Sequence, residues 1–246
     1  MDLNLGAQLS GTLINVATVW AGTGAGLLLR SRLPQRMLTI IPQGVGLITV
    51  LVGLEMARQL TQVPSAIVDG VVLGLMALVI GGVLGEWWSL EARLHRLGNW
   101  LKRQVRGTGP FTEGFVAASL LFCVGPMTLL GSINNGIAGD DRLLILKSTM
   151  DGLAAIALTG SFGIGVGFSS VIILLYQGGL SLAANSLAQG FPDPNTDPYV
   201  LMMTGVGGLT ILGIGINLLE IGTIRVASLL PALILGPLFY AIAQQL

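Results

Sequence analysis

Eight stretches of mainly apolar residues follow one another along this chain. Each is close to the roughly 20 residues a helix needs to cross a ~30 Å hydrocarbon core. They run Leu9–Leu29, Met37–Ala57, Pro64–Gly85, Gly114–Ile133, Leu143–Gly167, Ser169–Leu187, Tyr199–Leu219 and Val226–Ala243. Charge is correspondingly scarce, 10% of residues, where a water-covered domain carries roughly 25%. Hydrocarbon is therefore the solvent that this surface fits. The expected fold is all-α, a polytopic transmembrane helix bundle forming a single integral membrane domain over residues 1–246. Its first half is 1–85, an interfacial helix covers 86–106, and the second half is 111–246. The 36 glycines suit close helix packing in lipid, where small residues let backbones approach and also permit homo-oligomers.

The ends and the balance of charge narrow the class further. Net charge is zero, so nothing marks a nucleic-acid surface. The single Cys123 excludes an intrachain disulfide. Met1-Asp2-Leu3-Asn4 lacks the basic start of a secretory leader, so Leu9–Leu29 reads as a retained span. The fifth and sixth stretches abut at Gly163–Gly167, and Gly178-Gly179 interrupts the sixth. A seven-span alternative merges them. Charge asymmetry favours eight spans. One side then carries Arg30, Arg32, Arg36, Arg93, Arg96, Lys102, Arg103, Arg106 and Arg225, and the other only Arg58, Arg142 and Lys147. Basic loops stay cytoplasmic, which places both termini outside.

Glu86–Arg106 differs from the spans. Trp87, Trp88 and Trp100 alternate with Arg93, Arg96, Lys102 and Arg103, the pattern of an amphipathic helix lying among anionic headgroups. The plainer reading is a linker helix whose indoles and basic heads anchor two spans. An internal repeat is also suggested. A shift of 162 positions pairs Gly46 with Gly208 and Gly53 with Gly215. A rival register pairs Gly24 and Gly26 with Gly163 and Gly165, and Gly125-Pro126 with Gly236-Pro237.

Ionisable residues inside spans are the informative ones, since each costs ~2.5–3.5 kcal/mol at a helix centre. They are Glu55, Asp69, Lys147 and Asp151, with Asn15, Asn134, Asn135, Gln177 and Asn217 as polar companions. Lys147 and Asp151 are four apart and share a helix face. They read either as the lining of an ion path or as a structural pair whose lysine snorkels to water. Glu55 has Arg58 one turn on, and Asp69 has no basic neighbour at helical spacing. Pro126 frees the carbonyl of Phe122 and Gly125 permits a bend, so a helix break is expected there. Such breaks persist in membranes only where protein or a water-filled cavity satisfies the freed groups, and transporters place substrate sites at them. The Gly160, Gly163, Gly165 and Gly167 run has no strand before it and is not a nucleotide loop. No metal-ligand spacing, cofactor motif or catalytic triad is found.

Several motifs then resemble the domain-of-unknown-function 554 family of bacterial membrane proteins (YdfK/YqgA-like). They are Phe122-Cys123-Val124-Gly125-Pro126-Met127, Gly131-Ser132, Gly139-Asp140, Lys147-Ser148-x-x-Asp151-Gly152 and Gly163-Ile164-Gly165-Val166. Tyr176-Gln177-Gly178, Gly213-Ile214-Gly215-Ile216-Asn217-Leu218-Leu219 and Ile224-Arg225-Val226-x-x-x-Leu230-Pro231-Ala232 continue the match. Asn134-Asn135-Gly136 departs from it, in place of a more varied polar pair. The resemblance implies a bacterial inner-membrane protein with several spans, and marks Lys147 and Asp151 without assigning them a role.

The expected function is transport of a small ion or solute, with a lean to cation or proton-coupled traffic. That lean rests on an outer side bearing Asp2, Glu55, Asp69, Asp140, Asp141, Asp151, Asp193 and Asp197, a field that concentrates cations. The alternative is a non-transporting scaffold or sensor that binds a partner through the basic interfacial helix. An enzyme is not expected, for want of a nucleophile or metal near the interface.

Overall fold

A computed structural model of the chain describes residues 4–32, 34–64, 68–107, 109–123, 126–184 and 197–245. Among these residues there are helices and no strands. Helix α1 is Leu5–Arg32, α2 Gln35–Ala57, α3 Gly70–Trp87, α4 Leu90–Gln104, α5 Phe111–Cys123 and α6 Pro126–Ala138. Then come α7 Arg142–Phe162, the single turn α8 Gly165–Phe168, α9 Ser170–Leu182, α10 Pro198–Leu218 and α11 Ala232–Ala243. Short 3-10 segments continue α2 over Arg58–Gln62 and precede α11 over Val226–Leu229. Seven segments are long and apolar enough to cross a membrane, and an eighth is added if the α5–α6 pair, bent by 62°, makes one crossing. The chain is an all-α polytopic bundle.

The helices gather into two compact units built from non-contiguous segments. The first is Met1–Val45 with His95–Pro192, and the second Gly46–Leu94 with Asp193–Leu246. In the first unit α1 and α7 run parallel. Ser10 meets Asp141 and Asn15 meets Asp151, and further along Gly22 lies against Gly152 and Gly26 against Ile156. A Cβ at Gly22 would stand 2.2 Å from the Gly152 carbonyl oxygen. Only glycine permits that approach. Helix α9 runs the other way, since Trp20 bonds Ser170 while Thr12 bonds Gln177.

These directions separate the two stretches that the seven-span alternative merges. The chain reverses between α7 and α9 at Gly163, whose φ of +77° favours glycine, so the fifth and sixth stretches are separate passes and the merged alternative does not hold. The broken pair also traverses the whole first unit. Phe111 at its start stacks on Phe168, centroids 5.4 Å apart, whereas Asn135 near its end bonds Ala7 and Ser10 at the opposite end of α1. A re-entrant loop would return to the end at which it began.

In the second unit α2 and α10 are antiparallel, with Gly53 opposite Gly208 and Gly46 opposite Gly215. The seven-residue glycine spacing behind the 162-position register is thus a packing stripe on both partners of one crossing. Leu60, Leu73, Ala77, Met202, Val206 and Tyr240 form the core where α3, α10 and α11 meet. Two boundaries differ from expectation. The third span begins at Gly70, because Asp69 caps it, rather than at Pro64. The amphipathic segment is α4 alone, since Glu86 and Trp87 complete α3 and Ser89 turns the chain at φ 53°.

Candidate functional site

The buried face of α1 carries Gly11, Thr12, Asn15, Val19, Gly22, Thr23 and Gly26. Spacings of three and four put them on one stripe of a helix with 3.6 residues per turn. Its glycines admit α7 closely, and its polar members then face the polar members of α7 and α9. Asn15 is 0% exposed, Gln177 0%, Lys147 7% and Asp151 8%. The Lys147 ammonium donates to Asp151 Oδ2. The same oxygen accepts from Asn15 Nδ2 at 2.9 Å, and that nitrogen also lies 3.0 Å from Gln177 Oε1. Gln177 Nε2 donates to Thr12 Oγ1 at 3.2 Å. Three passes thus share one charge pair and two amides.

Two observations separate this cluster from an ordinary interfacial ion pair. The lysine does not snorkel. Its ammonium turns inward to the carboxylate, and both side chains are about nine-tenths shielded. The cluster is also incompletely satisfied: Asn15 Oδ1 is buried and has no hydrogen-bond partner. Such an orphan costs roughly 1–3 kcal/mol in desolvation. Ser132 on α6 and Ser181 on α9 likewise bury unpartnered hydroxyls.

A second polar group lies toward the N-terminal end of α1. Asn135 Nδ2 donates to the Ala7 carbonyl at 2.8 Å and to Ser10 Oγ at 3.1 Å, while its Oδ1 accepts from Gly11 N at 3.1 Å. Ser10 donates to Asp141 Oδ2 at 2.7 Å. Ser10, Thr12 and Asn15 therefore carry a polar track ~8 Å along α1 at 1.5 Å rise per residue, from Asp141 inward to Asp151. Helices α5 and α6 both pack against α7, which carries Lys147 and Asp151, and α5 ends at the buried Cys123. Gly125 lies outside the described residues; Pro126 opens α6, a first-turn position where its missing N–H costs nothing.

Other expected residues serve elsewhere. Glu55 pairs with Arg58 at 3.3 Å, both side chains mostly exposed. Asp69 is the N-cap of α3 and accepts from Val71 N at 2.7 Å. Asn134 is exposed. Asn217 clamps the chain after α10, exchanging two bonds with Ile224 at 2.8 and 2.7 Å. Among the acids expected on the outer side, Asp197 caps α10 and Asp140 accepts from Arg142 N, while Asp2 and Asp193 lie outside the described residues. Trp87 is 78% exposed. Trp88, Arg93, Arg96, Trp100 and Arg103 are exposed as well, and Lys102 donates to the Gly109 carbonyl at 2.7 Å. Glu86, absent from the sequence candidates, pairs with Arg225 and accepts from Ser228 Oγ. Thr12, Ser10 and Asp141 were likewise missed as parts of the track, although the α1 stripe at helical spacing pointed to the first.

Comparison with known proteins matches residues 10–241 to the family described as "Protein of unknown function (DUF554)". An uncharacterised membrane protein of Bacillus subtilis (strain 168), YdfK, is 29% identical over 227 residues, covering 92% of this chain and 93% of that protein. The uncharacterised protein YqgA of Escherichia coli (strain K12) is 29% identical over 233 residues, covering 92% and 94%. No solved structure matches.

Proposed function

We propose that this chain, which belongs to the DUF554 family of multi-pass membrane proteins, is a transporter for a small cation. Its working site on this reading is the cluster of Lys147, Asp151, Asn15 and Gln177. The observation that carries the proposal is a charge pair buried where three separate passes meet. A fold that needed only stability gains little from such a pair, because well-packed apolar residues of similar volume usually do as well or better. Ionisable groups at this depth are most often retained where an ion or proton moves.

The α5–α6 pair, bent by 62°, supports the same reading, since both of its helices pack against α7, which carries Lys147 and Asp151. The polar track from Asp141 through Ser10 and Asn135 offers a route from the outer end. Proton-coupled traffic is the form of exchange we favour. We place the protein in a bacterial inner membrane with Arg30, Arg36, α4 and Arg225 on the cytoplasmic side and both termini outside. In that placement the exposed tryptophans and arginines around α4 lie among headgroups, and lipid is the partner they fit. Enzymatic activity forms no part of the proposal.

Tracer uptake and current in proteoliposomes under imposed sodium, potassium and proton gradients test it. Asp151→Asn should abolish flux, and Asp69→Asn should leave it unchanged, since asparagine caps a helix as well as aspartate. Flux that survives Asp151→Asn removes the cluster from the mechanism.

A further inference from the structure

One oxygen of this cluster, Asp151 Oδ2, already holds a cation, the ammonium of Lys147. Oxygen is the only ligand type that the α1 and α9 residues here can turn on a positive charge: Thr12 Oγ1, Asn15 Oδ1 and Gln177 Oε1. With Asp151 they surround a region where Asn15 Nδ2 lies 2.9 Å from one oxygen and 3.0 Å from another. Half a turn of the Asn15 amide exchanges that nitrogen for Oδ1, the atom now buried without a partner. Oδ1 then stands about 3 Å from both Asp151 Oδ2 and Gln177 Oε1, oxygen-only surroundings suited to a hard cation.

We propose that this cluster is a binding site for a monovalent alkali cation, and that in this conformation Lys147 is its tethered, competing occupant. The inference rests on the transport reading and names the substrate class of the same site. Monovalent charge follows from the ligand count. The cluster brings one carboxylate, enough to balance one ammonium, and among the described residues no three His, Cys, Asp or Glu side chains gather that could hold a metal of higher charge. Among the described residues, the side chains bonded around the pair add no further charge of either sign, for Asn15 and Gln177 are amides and Thr12 a hydroxyl. Admission of sodium or lithium therefore requires the ammonium to swing away, and the site's net charge is the same in both states. The incompletely bonded Asn15 is what such a two-state site needs, because its amide serves as donor in one state and acceptor in the other.

The test is binding of radiolabelled sodium to the purified, detergent-solubilised protein in choline chloride, with lithium, potassium and choline as competitors. Lys147→Met should bind sodium about tenfold or more tightly than the parent, because a tethered competitor acts at a high effective concentration. Adding Asp151→Asn to that variant should abolish binding, and adding Asn15→Ala should weaken it. Lithium should compete and choline should not. Sodium binding to Lys147→Met no tighter than to the parent overturns the proposal. Should that variant be monodisperse only in sodium or lithium, the site is supported. If it aggregates in every salt, the parent protein decides. Its thermal midpoint must rise in sodium over choline chloride at equal ionic strength, with no rise in Asp151→Asn, and a parent indifferent to sodium overturns the inference. Binding without flux would leave the site and remove the transport reading; flux of another solute without sodium binding would do the reverse.

Discussion

Removing either member of the buried pair should destabilise the protein far more than removing both. Asp151 is nine residues into α7, ~14 Å from its first residue at 1.5 Å per residue, and Lys147 is only ~8 Å in. Taking away one partner of a buried pair costs about 3–5 kcal/mol, because the other charge is left uncompensated, whereas replacing both by neutral groups is often neutral. The two single changes differ in kind. In Asp151→Asn the freed lysine has a long stem and a helix end within reach, so it relieves part of the cost by snorkelling. In Lys147→Met the short aspartate has no such escape. The expected order is about 4 kcal/mol for Lys147→Met, about 2–3 for Asp151→Asn and about 1 or less for the double variant. Reversible unfolding in SDS–detergent mixtures, followed by far-ultraviolet circular dichroism in sodium-free choline buffer, gives the three values. Those values put the coupling energy at about 5 kcal/mol, beyond the ~1.7 kcal/mol maximum seen for neutral membrane hydrogen bonds. Additive single effects would refute the claim that the pair is desolvated.

Other consequences are simpler to check. Gly22→Ala and Gly53→Ala should each destabilise by about 1–3 kcal/mol or prevent insertion, as the new methyl meets backbone rather than a yielding side chain. Gly44→Ala, where a Cβ meets nothing within 4 Å, is the neutral control. Glu55→Gln should shift stability by less than about 0.5 kcal/mol, because its pair with Arg58 is surface-exposed. Asp69→Ala should cost about 1 kcal/mol through the lost cap and leave transport intact. In a Cys123→Ala background, cysteines at Gln104 and Asp140 should react with an impermeant maleimide from opposite sides of the membrane. Labelling from the same side would make α5–α6 re-entrant.

How much of this was legible in the sequence varies by residue for a physical reason. Lys147 and Asp151 stood out because charge inside an apolar run is costly wherever the run folds, and their spacing alone puts them on one face. Glu55 and Asp69 met the same criterion and proved peripheral. A hydropathy window does not locate a helix terminus to within a turn, and a few residues separate a solvated cap from a desolvated core. Asn15 and Gln177 were visible as polar residues in spans. That Asn15 joins Asp151 to Gln177 was not, since the contacts link positions 136 and 162 apart. Pairing of that range depends on which helix faces the glycines bring together. Thr12 and Ser10 gave a weak signal because a hydroxyl in a span readily bonds its own helix, and only packing shows that Thr12 instead accepts from Gln177.

The most direct test asks whether water reaches the cluster. Thr12→Cys in a Cys123→Ala background places a thiol beside Gln177, and a small charged methanethiosulfonate reagent added to either face of sealed vesicles reports its access. Because the resting pair is desolvated, the expected result is slow reaction from the outer face, through the state in which Lys147 has swung away from Asp151. A thiol inert from both faces in the folded protein, yet reactive after denaturation, would make the cluster a dry structural pair and contradict the account.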